Sequence, residues 1–139
     1  MLIVASALIV ALSTAGAAIA APTPTTPLKG SIVLSRDAWY IHPQTGQGFI
    51  LRTTEDARRL IRSSAVGIRN RDLVKIPRAG TTDTLRDRKL VDRLKGRILL
   101  AVESRGEAWY VHPTSGRRHA LGKDAAALSA LQHLGQRVS

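Results

Sequence analysis

The sequence of 139 residues contains no cysteine and only five aromatic residues: two Trp, two Tyr and one Phe. Without cysteine, no disulfide can staple the fold and no thiol can serve as nucleophile or metal ligand. The four histidines include no closely spaced pair, whereas zinc needs three or four convergent ligands. We therefore predict no metal and no cofactor, and we expect the core to be held by packing alone.

Catalytic patterns are also missing. The chain has no Gly-x-Ser-x-Gly elbow, no phosphate-cradling loop and no set of nucleophile, base and orienting residue. Glu103 and Glu107 flank one predicted turn, and two carboxylates at a suitable separation can hydrolyse a glycosidic bond. Solvated glutamates are common in such turns, however, so we predict that the protein is not an enzyme.

What the chain does contain is a duplication. Four of the five aromatic residues lie in two copies of one motif, Ala-Trp-Tyr-Ile-His-Pro over 38–43 and Ala-Trp-Tyr-Val-His-Pro over 108–113. A Leu-Lys-Gly triplet precedes each copy, and a glycine follows three residues after each proline. The rest of the sequence is therefore expected to support or connect two related units.

Each unit is predicted to form three short antiparallel strands followed by a helix, which gives an α+β fold of two repeats packed together. Thr53, Asn70, Asp83 and Asp124 are the predicted helix N-caps. We place the Trp-bearing strand faces in the core and leave the Tyr-bearing faces half exposed. The predicted division is an N-terminal segment (1–20), a Pro/Thr linker (21–27), repeat 1 (28–77), a linker with a helix (78–93) and an incomplete repeat 2 (94–139).

The N-terminal segment predicts export. No charged residue precedes Lys29, the first residues are strongly apolar, and Ala18 and Ala20 are the small residues that a signal peptidase requires. A cleaved signal peptide is our first interpretation and an uncleaved membrane anchor is the second, since the stretch is nearly long enough to span a bilayer. Both place the remaining residues outside the cytoplasm.

The exported part is strongly basic. The net charge is +11, and most of the excess falls between Arg52 and Arg97. Such a charge attracts polyanions, whereas the alternative interpretation is a solvated surface. The residues predicted to bind a polyanion are Arg58, Arg62, Arg69, Arg71, Lys75, Arg86, Lys89 and Arg93. The predicted partner is an anionic cell-wall polymer or peptidoglycan, with non-specific nucleic-acid binding as a further possibility because no base-reading motif is present.

The Tyr-bearing faces offer a second candidate site. Folding each hairpin about its Pro-to-Gly turn sets Tyr40 opposite Phe49 and Tyr110 opposite His119. These four side chains could form an aromatic platform for a sugar ring or a base. The competing interpretation, which we favour, is cross-strand packing that holds a thin sheet together.

The second copy reads LKGRILLAVE over 94–103 and GEAWYVHPTSGRR over 106–118, and the first copy carries the tail GIRNRDLVKIP over 67–77. These residues resemble an uncharacterised tandem repeat found in exported proteins of ultrasmall uncultured bacteria. The resemblance covers nearly all of the chain after the linker. It implies an exported accessory domain of the cell envelope, and it assigns no catalytic residue.

Taken together, these features predict an exported, non-catalytic module that binds anionic polymers of the cell envelope. Two alternatives remain open. The first is an extracellular protein that binds DNA without sequence preference, and the second is a carbohydrate- or peptidoglycan-binding module of a wall hydrolase system.

The location prediction can be tested directly. When the full sequence is expressed in a bacterial host, N-terminal sequencing of the exported protein should begin at or near Ala21, because the small residues before it suit signal peptidase. Retention in the membrane with an intact N-terminus would indicate the anchor instead. Full-length protein found only in the cytosol would contradict both interpretations.

Overall fold

The computed structural model describes residues 28–138, so the predicted signal segment and linker lie outside the described residues. The first half of the fold contains β1 (Ile32–Leu34), β2 (Ala38–Ile41), β3 (Gly48–Ile50), α1 (Thr54–Ser64), β4 (Val66–Ile68) and α2 (Asn70–Leu73). The second half contains α3 (Arg88–Leu94), β5 (Ile98–Ala101), β6 (Glu107–Val111), β7 (Arg118–Ala120), α4 (Ala125–His133) and β8 (Gln136–Arg137). The predicted α+β fold of two strand-and-helix units is confirmed.

The strands form two four-stranded sheets, in the orders β3-β2-β1-β8 and β4-β5-β6-β7. Within each sheet, three consecutive strands form the predicted antiparallel meander. The fourth strand comes from the other half of the chain, because β8 pairs in parallel with β1 and β4 pairs in parallel with β5. Each half therefore completes the sheet of the other. No pattern in the sequence predicts β4 or β8.

Helix α1 forms where its sequence pattern predicts. The Thr53 hydroxyl accepts a hydrogen bond from the Asp56 N–H, and the Asp56 carboxylate accepts one from the Thr53 N–H, so the capping box is complete. Ala57, Leu60 and Ser64 are buried along one face. This face packs against the core, as its helical spacing requires.

Two of the four predicted caps are wrong, and a third, Asp124, is the N-cap residue but lacks the capping hydrogen bond. The N-cap of α2 is Arg69, and Asn70 is the first residue of that helix. Helix α3 begins at Arg88, and its N-cap is Asp87 rather than Asp83, whose carboxylate accepts a hydrogen bond from the Arg78 N–H. Asp124 precedes α4 but makes no capping hydrogen bond, because its backbone has a φ of 51° and its carboxylate binds Arg58. A long-range ion pair thus replaces the local bond that the sequence suggested.

The predicted exposure of the tyrosines is also wrong. The cross-strand pairs Tyr40–Phe49 and Tyr110–His119 form as expected, but Tyr40 is 0% exposed and Tyr110 is 1% exposed. The two Tyr faces belong to one central core that also includes residues of α1 and α4. Each face is buried because the other sheet packs on it.

The Trp faces lie on the outer sides of the sheets. Trp109 belongs to a second apolar cluster with Leu73 of α2, Leu94 of α3 and Ile76 of the segment between the two helices. Trp39, its counterpart in the first half, is only half-buried. The duplicated strands are therefore covered differently on their outer faces.

A backbone contact between Gly30 and Gly96 lies at the centre of the molecule. A Cβ atom added to Gly96 would overlap the Gly30 Cα, and one added to Gly30 would lie 2.7 Å from the Gly96 Cα. The Tyr40 hydroxyl donates to the Gly96 carbonyl and the Tyr110 hydroxyl donates to the Gly30 carbonyl, both at 2.6 Å. The tyrosine rings meet edge to face, with centroids 6.4 Å apart. Burial raises the pKa of both tyrosines well above 10.

This contact predicts different costs for two glycine substitutions. Gly96 and Gly80 have nearly the same φ, 76° and 74°, but nothing lies within 4 Å of a Cβ added to Gly80. Gly80→Ala should cost about 1 kcal/mol of unfolding free energy for the left-handed backbone alone. Gly96→Ala should cost a further ~1–3 kcal/mol, because the methyl group must push the two halves apart.

Urea unfolding of both variants, with the unmodified chain as reference, measures this difference. Equal losses of unfolding free energy in Gly96→Ala and Gly80→Ala would show that the central contact is not tight in solution.

Candidate polyanion-binding surface

The predicted basic residues do not form one continuous edge. Arg58 and Arg62 lie on α1, whereas the other six lie on or beside α2 and α3: Arg69, Arg71, Lys75, Arg86, Lys89 and Arg93. The two groups belong to different parts of the fold, since α1 packs in the central core and α2 and α3 cover the Trp109 face.

The α1 group is partly neutralised. Arg58 donates from two nitrogens to the Asp124 carboxylate, at 2.9 and 2.6 Å, and lies 3.5 Å from Glu55. The hydrogen bond with Asp124 raises the pKa of the Arg58 guanidinium. Arg62 and Lys123 line a neighbouring hollow of about 220 Å³. Arg58 therefore contributes to holding α4 in place.

The second group surrounds a defined space. Arg69, Arg71 and Arg93 line a hollow of about 330 Å³ between α2, α3 and β4, which we name the basic cleft. Leu90, Val91 and Leu94 of α3 are buried against the Trp109 cluster, so Arg93 is left exposed on the other side. Lys89 lies one turn before Arg93 on α3 and is also exposed, as is Arg86 in the preceding loop.

The charges around the basic cleft do not cancel. Asp72 is the one acidic residue in its lining, and its carboxylate binds the Lys75 ammonium at 3.0 Å. This hydrogen bond, with smaller contributions from Arg71 and Arg69, lowers the pKa of Asp72. Within residues 28–138, no carboxylate lies within ion-pair distance of Arg69 or Arg93. The cleft therefore presents an excess of positive charge over an apolar floor.

A second arginine group was not predicted from the sequence. Arg36, Arg52 and Arg137 line a hollow of about 610 Å³ at the end of the first sheet, together with Asp37. Arg52 holds Asp37 with two hydrogen bonds of 2.9 and 2.6 Å, which lower the pKa of Asp37. We name this space the arginine hollow. Arg137 reaches it only because β8 crosses to the first sheet, and no local pattern indicates that crossing.

Two further arginines, Arg78 and Arg118, contact the Trp109 ring. The Arg118 guanidinium carbon lies 4.2 Å from the centre of a Trp109 ring, and that of Arg78 lies 5.5 Å from it. Arg118 also donates from Nε to the Ile76 carbonyl. These cation–π contacts stabilise the covered Trp109 face.

The aromatic platform is not present as a surface. Tyr40 and Tyr110 are buried and their hydroxyls are hydrogen-bonded to glycine carbonyls, so neither ring can stack on a ligand. Phe49 and His119 are partly exposed but lie in different sheets. The four residues form the cross-strand pairs of the competing interpretation, and the two tyrosine rings also pack the sheets against each other, which that interpretation did not include.

The remaining candidate groups have structural contacts. Glu103 accepts a hydrogen bond from the Asn70 N–H at 2.9 Å, which anchors the start of α2, and Glu107 is the exposed first residue of β6. Among residues 28–138, no three His, Asp or Glu side chains lie close enough together to hold a metal ion.

Comparisons of the chain with protein-family models, with characterised proteins and with solved structures find no match. The resemblance to the tandem repeat of exported proteins therefore stays a prediction. In the part of the chain that the structure describes, no helix has both the length and the apolar character needed to cross a bilayer.

The histidines close the turns and pack beside the tyrosines. The Nδ1 atoms of His42 and His112 each accept hydrogen bonds from two backbone N–H groups of the following turn, at 3.2 and 3.3 Å. The rings of His112 and His119 lie 6.1 Å apart. Burial lowers the pKa of all three histidines below 6.5, and Arg97 and His112 lower those of His42 and His119 further.

These shifts predict that acid destabilises the fold near neutrality. Between pH 7.5 and 5.5 the unfolded chain takes up protons on these histidines, near a pKa of about 6.5, more readily than the folded chain. The contribution of these histidines to the unfolding free energy is therefore fully present above a pH of about 6.5, and it should be lost as the pH falls below that value towards their lowered pKa in the folded chain. Urea unfolding at intervals across this range measures the decrease.

The variant His112→Asn/His119→Asn should reduce this dependence on pH, since it removes two of the three groups. Unfolding free energy that stays constant, or rises, on acidification of the unmodified chain would contradict the prediction.

Proposed function

We propose that this protein is an exported, non-catalytic module of the cell envelope that holds an anionic polymer in the basic cleft. The observation that carries the proposal is the set of exposed arginines around that cleft, of which Arg69 and Arg93 have no carboxylate partner within residues 28–138. Guanidinium groups suit this role because they bind phosphate and carboxylate oxygens through two parallel hydrogen bonds.

A polymer fits this surface better than a small anion. Each exposed contact between a guanidinium and an anionic group contributes only about 0–1 kcal/mol. Several such contacts along one chain release condensed counterions together, which gives useful affinity that depends strongly on salt. Lys89 extends the basic cleft along α3, and the arginine hollow offers a separate basic site on the same molecule.

The same geometry bears on the carbohydrate-binding and DNA-binding alternatives. Stacking of sugar rings on the tyrosines loses its support, because both rings are buried. DNA presents the same phosphate chemistry as an anionic wall polymer, so non-specific DNA binding is kept as an outcome of the test. The proposal favours the wall polymer because the sequence also predicts export.

The test compares two double variants with the same change in net charge. Arg69→Gln/Arg93→Gln removes two charges from the basic cleft, and Lys29→Gln/Arg59→Gln removes two exposed charges outside its lining. Binding of purified teichoic acid, a neutral glycan and duplex DNA is measured by titration at several salt concentrations. Teichoic acid should bind the unmodified chain with an affinity that falls steeply with salt.

The cleft variant should bind teichoic acid at least about ten-fold more weakly at low salt, with a salt slope smaller by about one per lost contact. The control variant should lose much less affinity. Equal losses in both variants would show that net charge, not the cleft, attracts the polymer. Salt-resistant binding of the neutral glycan would favour the carbohydrate alternative, and preference for DNA would favour nucleic-acid capture.

A further inference from the structure

The two halves of the fold differ at one sheet edge. In the second half, the residues after α2 pair with the outer edge of β7: the Arg118 N–H donates to the Pro77 carbonyl at 2.9 Å, and the Ala79 N–H donates to the Arg118 carbonyl at 3.0 Å. Arg78, between these two residues, directs its guanidinium to the Trp109 ring. A short extended segment with a proline and an arginine thus covers this edge and the adjacent tryptophan.

The first half has the same edge without that cover. Gly48 pairs with Ile41 as Arg118 pairs with Val111, so Gly48 and Arg118 occupy equivalent positions. Strand β3 is the last strand of its sheet, and no segment within residues 28–138 pairs with its outer side. Open strand edges of this kind are templates for pairing with a further chain.

The backbone of Gly48 is oriented for such pairing. The neighbouring residues Gln47 and Leu51 bond to β2, through the His42 N–H and the Ala38 carbonyl. Since hydrogen-bonding direction alternates along an antiparallel strand, the N–H and C=O groups of Gly48 face away from β2.

The space beside this edge matches the covering residues of the second half. A hollow of about 200 Å³ lies against Trp39, between β3 and α1, and is lined by Gly48 and Ile50 of the strand. Within the described residues, no cation lies over the Trp39 ring, although two lie over Trp109. The charged residues that line the hollow are Asp56 and Arg59, one of each sign, so an additional cation meets no local excess of positive charge.

We propose that the outer edge of β3 binds an extended segment of a separate polypeptide that contains a proline followed by a basic residue. This segment pairs with Gly48 as Pro77–Ala79 pair with Arg118, and its basic side chain lies over Trp39. This is recognition by strand addition, in which backbone bonds give affinity and a side-chain pocket gives specificity. A second copy of the chain is a poorer occupant, because its own Pro77–Ala79 segment is already paired and its charge of +11 repels a like molecule.

The probe is a blocked peptide with the sequence of residues 75–80, Lys-Ile-Pro-Arg-Ala-Gly, added to the full, isotope-labelled chain. The backbone amide signals of Gly48 and Phe49 and the indole signal of Trp39 should shift with saturation, giving a dissociation constant between tens of micromolar and a few millimolar. The equivalent signals of Arg118 and Trp109 should shift much less, because their edge is occupied.

Two altered peptides and one protein variant complete the design. A peptide methylated on the alanine nitrogen loses the donor equivalent to the Ala79 N–H and should bind at least ten-fold more weakly. A peptide with glutamine in place of arginine should bind several-fold more weakly and shift the Trp39 indole less. Gly48→Pro should abolish binding, and Gly48→Ala, which keeps the N–H, should retain it within a few-fold.

Shifts that are absent at Gly48, or equal for the parent and methylated peptides, would overturn the proposal. Concentration-dependent shifts at Gly48 without peptide would also overturn it, since they would identify a second copy as the occupant. Because the peptide is basic and its effects are read at β3, failure here leaves the binding of teichoic acid by the basic cleft unaffected.

Discussion

The close approach of Gly30 and Gly96 is the constraint on which the rest of the structure depends. A side chain on either residue would separate the two backbones, and the buried tyrosine hydroxyls would then lose their carbonyl acceptors. With the contact in place, each tyrosine links one half of the molecule to the other. The Tyr faces become the shared core, and for that reason they cannot also be a ligand surface.

Much of the fold could be predicted from local patterns, and the failures share one cause. The duplicated motif, the α1 capping box and the cross-strand pairs could all be predicted, because each depends on residues close together in sequence or across one hairpin. Strand alternation shows which residues share a face but does not show which face another sheet covers. Strands β4 and β8 are only three and two residues long, and each forms by pairing with a strand that is distant in sequence. They are therefore too short for a periodic pattern of apolar residues to predict them.

The candidate site was predictable in kind but not in place. Composition revealed an excess of basic residues, and the structure divides these residues by what each one contacts. Arg58 is bound to Asp124, Arg118 stacks on Trp109, and Arg69 and Arg93 are left exposed at the basic cleft. Arg137 joins the arginine hollow only through the crossing of β8. Charge counts along a sequence cannot distinguish paired, stacked and exposed arginines, because the contacts that pair or cover an arginine come from residues distant in sequence.

The reciprocal exchange of β4 and β8 has a consequence for how such a chain could arise. A single unit ends in a strand that its own meander does not accept, so an isolated unit is complete only when two copies exchange these strands about a two-fold axis. The present chain joins the two units through the residues between α2 and α3, which makes that association intramolecular, at an effective concentration of about millimolar or higher. Once the two units share one chain they are free to diverge. Such divergence is visible at equivalent strand edges, since within residues 28–138 the β7 edge is paired with Pro77–Ala79 and the β3 edge is not.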